Sequence, residues 1–176
     1  GASVAIAHRQ ELVSQMSLAL ARNGVRHRVV GPENVARLCR QIHMSELGYH
    51  FIDPNARAGV AGVDSVVRLD PADPWLRQVT LMVQDEAHHV LKENKWGKAA
   101  GMFPNARGLL PTATPLRADG KGLGRHADGL VDAMVLAPSM RAIIEMGYLT
   151  DYRVFAPPSD LDLTNVNVGD SGDFVK

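Results

Sequence analysis

"QVTLMVQDEAHH" occupies residues 78 to 89 and decides the fold. Its first seven residues read as a strand buried on both faces, the pattern of a parallel sheet covered by helices. The apolar run stops against Asp85 and Glu86, with His88 and His89 close behind. Mg²⁺ prefers oxygen ligands and keeps several waters, so one Asp at a strand end is enough to hold it beside a nucleotide phosphate. An adjacent Glu can then orient an attacking water as general base.

Working outward, strands and helices alternate. Val4 to Ala7 is a short apolar run. In the helix that follows, Leu12, Val13, Met16 and Leu20 share one face, and Gly24 is placed to end it. "HRVV" at 27–30 predicts a second strand, and Pro32 opens a helix through Cys39 and His43. Val60 to Val63 reads as a strand and "DPADP" at 70–74 as a loop. "RGLL" at 107–110 is a further strand that must stop at Pro111, which has no N–H for the ladder. "PSMRAIIEMG" at 138–147 predicts a short helix with Met140, Ile143 and Ile144 as its apolar stripe and Gly147 as its end. This alternation predicts an α/β fold with a mostly parallel sheet flanked by helices. In such sheets, ligands sit at the carboxyl ends of the strands. "AHRQE", "DEAHH" and "TATP" all fall at such ends.

The chain has 176 residues, 45% hydrophobic and 22% charged, enough for one domain with a sizeable core. Its 19 basic and 19 acidic residues balance, so no net field points to nucleic acid or membrane, although a local basic patch is compatible with that total. The single cysteine, Cys39, excludes an internal disulfide and fits a reducing, cytoplasmic compartment. No apolar run approaches a membrane span, and no signal-peptide pattern opens the chain. Gly1 stands where a start methionine is expected, so the sequence reads as a piece of a longer protein.

"VQDEAHH" resembles motif II of superfamily 2 helicases in its DEAH form, and "TATP" at 112–115 is similar to their motif III. "VAIAHRQELVSQ" at 4–15 resembles motif Ia. "VDSVVRL" at 63–69 is similar to a further nucleic-acid-contacting motif, Ib/Ic. "RADGKGLG" and "GYLTDYRVFAPP" resemble the exit from the first motor domain of bacterial and phage-type members. The motifs stand in family order over residues 4 to about 158. The resemblance implies a RecA-like P-loop NTPase-type fold truncated at the N-terminus. Residues 1–150 would be a partial first motor domain, and 151–176 a linker or the start of a second. It implies ATP and Mg²⁺ as cofactors of the full-length protein. Asp85 would coordinate Mg²⁺ through water, Glu86 would polarise the hydrolytic water, and His88 would link the nucleotide site to motif III. Thr112, Ala113 and Thr114 would couple ATP state to domain movement. Ala7, His8 and Arg9 would meet nucleic-acid phosphates at a helix N-terminus, with Ser65 and Arg68 as further backbone contacts. The implied partners are nucleic acid, DNA favoured over RNA, and a second RecA-like domain of the same chain.

Three departures from the family pattern stand out. Gln84 and Pro111 occupy positions that are usually apolar. The phosphate loop G-x-x-x-x-G-K-[ST] is absent, since neither Gly97-Lys98-Ala99 nor Gly120-Lys121-Gly122 fits it. In the family this loop precedes motif Ia, which puts it upstream of Gly1, and the arginine finger downstream of Lys176. The sequence therefore carries three readings. The first is a fragment of an ATP-dependent DNA helicase or translocase. The second is a catalytically inactive helicase-derived module that binds nucleic acid or a partner. The third and weakest is a metal-dependent hydrolase built on the Asp-Glu-His-His cluster, which lacks H-E-x-x-H spacing. Other features have plainer readings. Cys39 and His43 read as a core Cys beside a half-exposed His, Trp75 and Trp96 as packing at the domain edge, the "DGKGLG" loop at 119–124 as a flexible connection, and Arg26, His27 and Arg28 as a solvated face.

Overall fold

The structure, a computed structural model, describes residues 1–117 and 120–155. Residues 156–176 of the tail expected to be a linker, and Asp119 of the glycine-rich loop, lie outside the described residues. The contacts divide the chain into two compact units, Gly1–Val131 and Asp132–Lys176.

In the first unit, five strands form one parallel sheet. They are β1 (Ala2–Ala7), β2 (His27–Val30), β3 (Ala58–Gly62), β4 (Val79–Gln84) and β5 (Arg107–Leu109), in the order β2-β3-β1-β4-β5. The sheet is α/β with helices on both faces, as the alternation predicts. On one face, α1 (Gln10–Arg22) and α2 (Glu33–Leu47) bury Val13, Val35 and Cys39 against Ala7 and Val60. On the other, α3 (Val63–Val66), α4 (Pro74–Gln78) and α5 (Lys95–Gly101) bring Val63, Val66, Trp75, Leu76, Ala99 and Phe103 onto Val4, Ile6, Ala61 and Met82. Strand alternation explains the split: Ala2, Val4 and Ile6 face one layer, Ala5 and Ala7 the other.

Several local expectations change. The strand expected at Val60–Val63 is Ala58–Gly62, and Val63 instead starts α3. "DPADP" is not wholly a loop. Pro74 opens α4, and the Asp73 carboxylate accepts the Trp75 N–H at 2.9 Å. At five residues this helix is too short to show periodicity, and the same holds for α5 at seven. β4 is buried on one face only. α1 packs mainly on β1, β2 and β3, and Leu81 is 46% and Leu109 60% exposed. Trp75 belongs to the core, edge-on to Phe103 at 5.8 Å with the Arg28 guanidinium stacked over it at 4.4 Å.

His27 and His43 are fully buried, against the solvated and half-exposed readings. They share one hydroxyl: Ser17 Oγ lies 2.7 Å from His27 Nε2 and 3.1 Å from His43 Nε2. The Phe51 N–H donates to His43 Nδ1 at 3.4 Å, so the His43 proton sits on Nε2 and donates to Ser17. His27 Nδ1 faces the Val25 carbonyl at 2.9 Å, so it carries the proton and its Nε2 accepts from Ser17. The chain of donors closes with both rings neutral and ties α1, α2 and β2 together.

In the second unit, α6 (Met140–Glu145) is capped by Ser139, which accepts the Ala142 N–H at 3.2 Å, and Gly147 ends it at φ 78°. Its expected stripe is not buried: Met140 is exposed and Ile143 and Ile144 are half-buried. Among the described residues no helix is long and apolar enough to cross a membrane.

Candidate functional site

Parallel pairing brings the carboxyl ends of β1, β4 and β5 to one edge of the sheet. Two backbone bonds stitch the loops that follow. Asp85 N–H donates to the Ile6 carbonyl and Ala87 N–H to the Pro111 carbonyl, each at 3.1 Å. The Asp85 carboxylate accepts the Glu86 N–H at 2.9 Å. Glu86 has φ 59° and ψ 51°, a left-handed conformation that costs a non-glycine residue about 1–2 kcal/mol. Such strain concentrates at functional sites because the surrounding structure has to hold it in place.

The turn Ala87–His89 aims His88 at the Thr112–Thr114 loop. Thr112 Oγ donates to the Thr114 carbonyl and accepts the Thr114 N–H, both at 3.1 Å. Its single proton is therefore committed, and its oxygen must accept from His88 Nδ1 at 2.9 Å. The same Nδ1 lies 3.2 Å from Thr114 Oγ and 3.4 Å from a Glu86 carboxylate oxygen. His88 thus touches Glu86, Thr112 and Thr114 together, while Ala113 is exposed between the threonines.

At the end of β1, Arg9 Nε–H donates to His8 Nε2 at 3.1 Å, which puts the His8 proton on Nδ1. That Nδ1 is buried without a hydrogen-bond partner. Arg9 is the N-cap of α1, and no side chain caps the helix, so its first-turn N–H groups are free to meet an anion. His8, Arg9, Glu11, Leu12 and Glu86 line one open cleft of about 390 Å³. The structure therefore brings His8 and Arg9 together with Glu86. Ala7 is buried and has only its backbone to offer. Ser65, half-buried in α3, and exposed Arg68 follow β3 along the same edge but do not line the cleft.

Sequence reasoning missed Trp96 and His89 as parts of this site. Trp96 stacks on His89 (centroids 4.9 Å, 29°) and meets His8 at 5.6 Å, and His89 meets His88 at 4.1 Å. Gln84, fully buried, donates its amide N–H to the Trp96 carbonyl at 3.2 Å. An isolated Trp in "NKWGK" gives no periodic signal, and only its place at the start of α5 brings it here.

Among the described residues no three His, Cys, Asp or Glu side chains gather as a metal site. Mg²⁺ asks for less. The second Asp85 oxygen, with waters and phosphate oxygens, is a donor set of the kind that ion takes. No protein-family model matches the chain, and no curated protein matches it.

Proposed function

We propose that the chain is the part of an ATP-dependent superfamily 2 DNA helicase or translocase motor that carries motifs Ia to III. One observation supports this most: Glu86, held in a strained conformation, shares a cleft with His8 and Arg9 and reaches Thr112 through His88. A water-activating carboxylate, a phosphate-facing helix end and a hydroxyl loop then sit within one contact of each other. Asp85 would hold Mg²⁺ through water, and the ion would neutralise charge on the transferred phosphoryl group. Glu86 would orient the attacking water and take its proton. His88, through Nδ1, would hold the carboxylate and Thr112 in register. The uncapped start of α1 with Arg9 would seat the nucleic-acid backbone, with Ser65 and Arg68 further along the edge. DNA is favoured because the proteins it resembles act mostly on DNA.

The second reading is a helicase-derived binding module without ATPase chemistry. A phosphate loop upstream of Gly1 in the natural protein supports the motor, and its absence there supports the module. Glu86→Gln in the longest natural protein containing this chain separates the two. The motor reading expects turnover to fall by about 10²–10⁴-fold with nucleotide binding retained. Unchanged hydrolysis removes Glu86 from the mechanism, and absence of hydrolysis in the wild-type protein leaves the binding module.

A further inference from the structure

The nucleic-acid end and the hydrolytic end of this edge are joined by rings. His8 follows β1, His88 and His89 follow β4, and Trp96 on α5 is the only described side chain in ring contact with both groups. The contacts run His8–Trp96–His89–His88 at centroid distances of 5.6, 4.9 and 4.1 Å, and His88 continues to Thr112 and Glu86. The first two separations are those of interacting aromatic pairs.

Trp96 is held from three sides. Asn94 Oδ1 accepts the Trp96 and Gly97 N–H groups, each at 3.0 Å. The Asn94 amide donates to the His89 carbonyl at 2.7 Å, fixing the two stacked residues to one side chain. Gln84 holds the Trp96 carbonyl from the last position of β4. Gly97 lies so close to the Leu91 carbonyl that an added Cβ would stand 1.9 Å from that oxygen. A displacement of His8 therefore has little slack to disappear into before it reaches His89.

We infer that Trp96 is a positioning residue: it ties the His8 imidazole to the His88–Thr112 contact, so that a single-stranded nucleic acid seated on His8 and Arg9 is felt at Glu86. The inference rests on the nucleic-acid reading of His8 and Arg9. It also gives a use to Gln84, the polar residue at a usually apolar position, whose amide anchors the indole's backbone.

The test uses histidine-labelled chain and a short oligodeoxythymidine at low salt, with the imidazole signals followed by NMR. In the wild-type chain, the His8 and His88 signals shift together along one binding curve. In Trp96→Leu, His8 still shifts and the His88 response is lost. Trp96→Phe, which keeps a ring, restores it. His89→Ala breaks the stack at an exposed position, guards against misfolding of the leucine variant, and gives the same loss. A His88 response that persists in Trp96→Leu or in His89→Ala overturns the inference while leaving the nucleic-acid reading intact. A His8 signal unmoved in the wild-type chain overturns both.

Discussion

Acid should unfold this protein through two residues. His27 and His43 are fully buried, and burial pushes both pKa values below the ordinary 6.5, against a smaller opposing pull from the Val25 carbonyl on His27 and from Ser17 on His43. His27 and His50 lower His43 further by charge repulsion. Cys39 beside them stays a neutral thiol, since burial raises its pKa. The sign follows from proton counting. Below pH 6.5 the unfolded chain protonates both rings while the folded chain resists, so the unfolded state binds more protons and stability rises with pH. Stability is therefore fully present above about 6.5 and is lost as the pH falls through the window beneath it. The donor chain through Ser17 explains the resistance: a proton added at His43 Nδ1 would face the Phe51 N–H, donor against donor. Each ring contributes at most about 1.4 kcal/mol per pH unit. Two rings together remove at most about 2–3 kcal/mol between pH 7.5 and 5.5, against a typical stability of 5–15 kcal/mol. Urea unfolding across that range reads the loss as a drop of roughly 1–2 M in midpoint. A midpoint that stays flat from pH 7.5 to 5.5 refutes the reasoning.

Ser17→Ala orphans the His43 Nε2–H and the His27 Nε2 at once. It should cost about 2–6 kcal/mol, at 1–3 kcal/mol for each unsatisfied buried group, read by the same unfolding assay; a loss below 1 kcal/mol would mean the two rings find other partners. Glu86→Gly relieves the left-handed backbone and should change stability by between about 0 and +1 kcal/mol in the stabilising direction, because glycine's extra unfolded-state entropy offsets part of the relief. Glu86→Val at the same φ should destabilise instead, and equal thermal midpoints for the two would show that the strain is absent in solution. Residues 1–176 alone should neither hydrolyse ATP nor bind it tightly, since phosphoryl transfer depends on positioning groups that these residues lack. Calorimetry with Mg·ATP and a phosphate-release assay check this, and turnover by the purified chain would show that the nucleotide site has been misplaced.

The sequence by itself determined the layer architecture and the edge that matters. Apolar runs ending in "AHR", "DEAHH" and "TATP" carry a periodic signal and a chemical one, and both are local properties of the chain. Asp85, Glu86 and Thr112 are legible as candidate-site residues because residue type and position at a strand end are local properties of the sequence. Tertiary structure decided what local pattern does not encode. His27 sits in a polar triplet, "RHR", yet it is buried, because β2 turns that one side chain under α1 toward Ser17. "QVTLMVQ" looks buried on both faces, but whether Leu81 is covered depends on how the helices lie across the sheet, and α1 packs mainly on β1, β2 and β3. The short helices α4 and α5 fall below the length at which periodicity speaks. Trp96 joins the candidate site because Asn94 caps α5 beside the end of β4 and sets the indole between two loops that are distant in sequence. Strand order, helix reach and ring stacking all arise from contacts between distant segments, and for that reason only the folded chain states them.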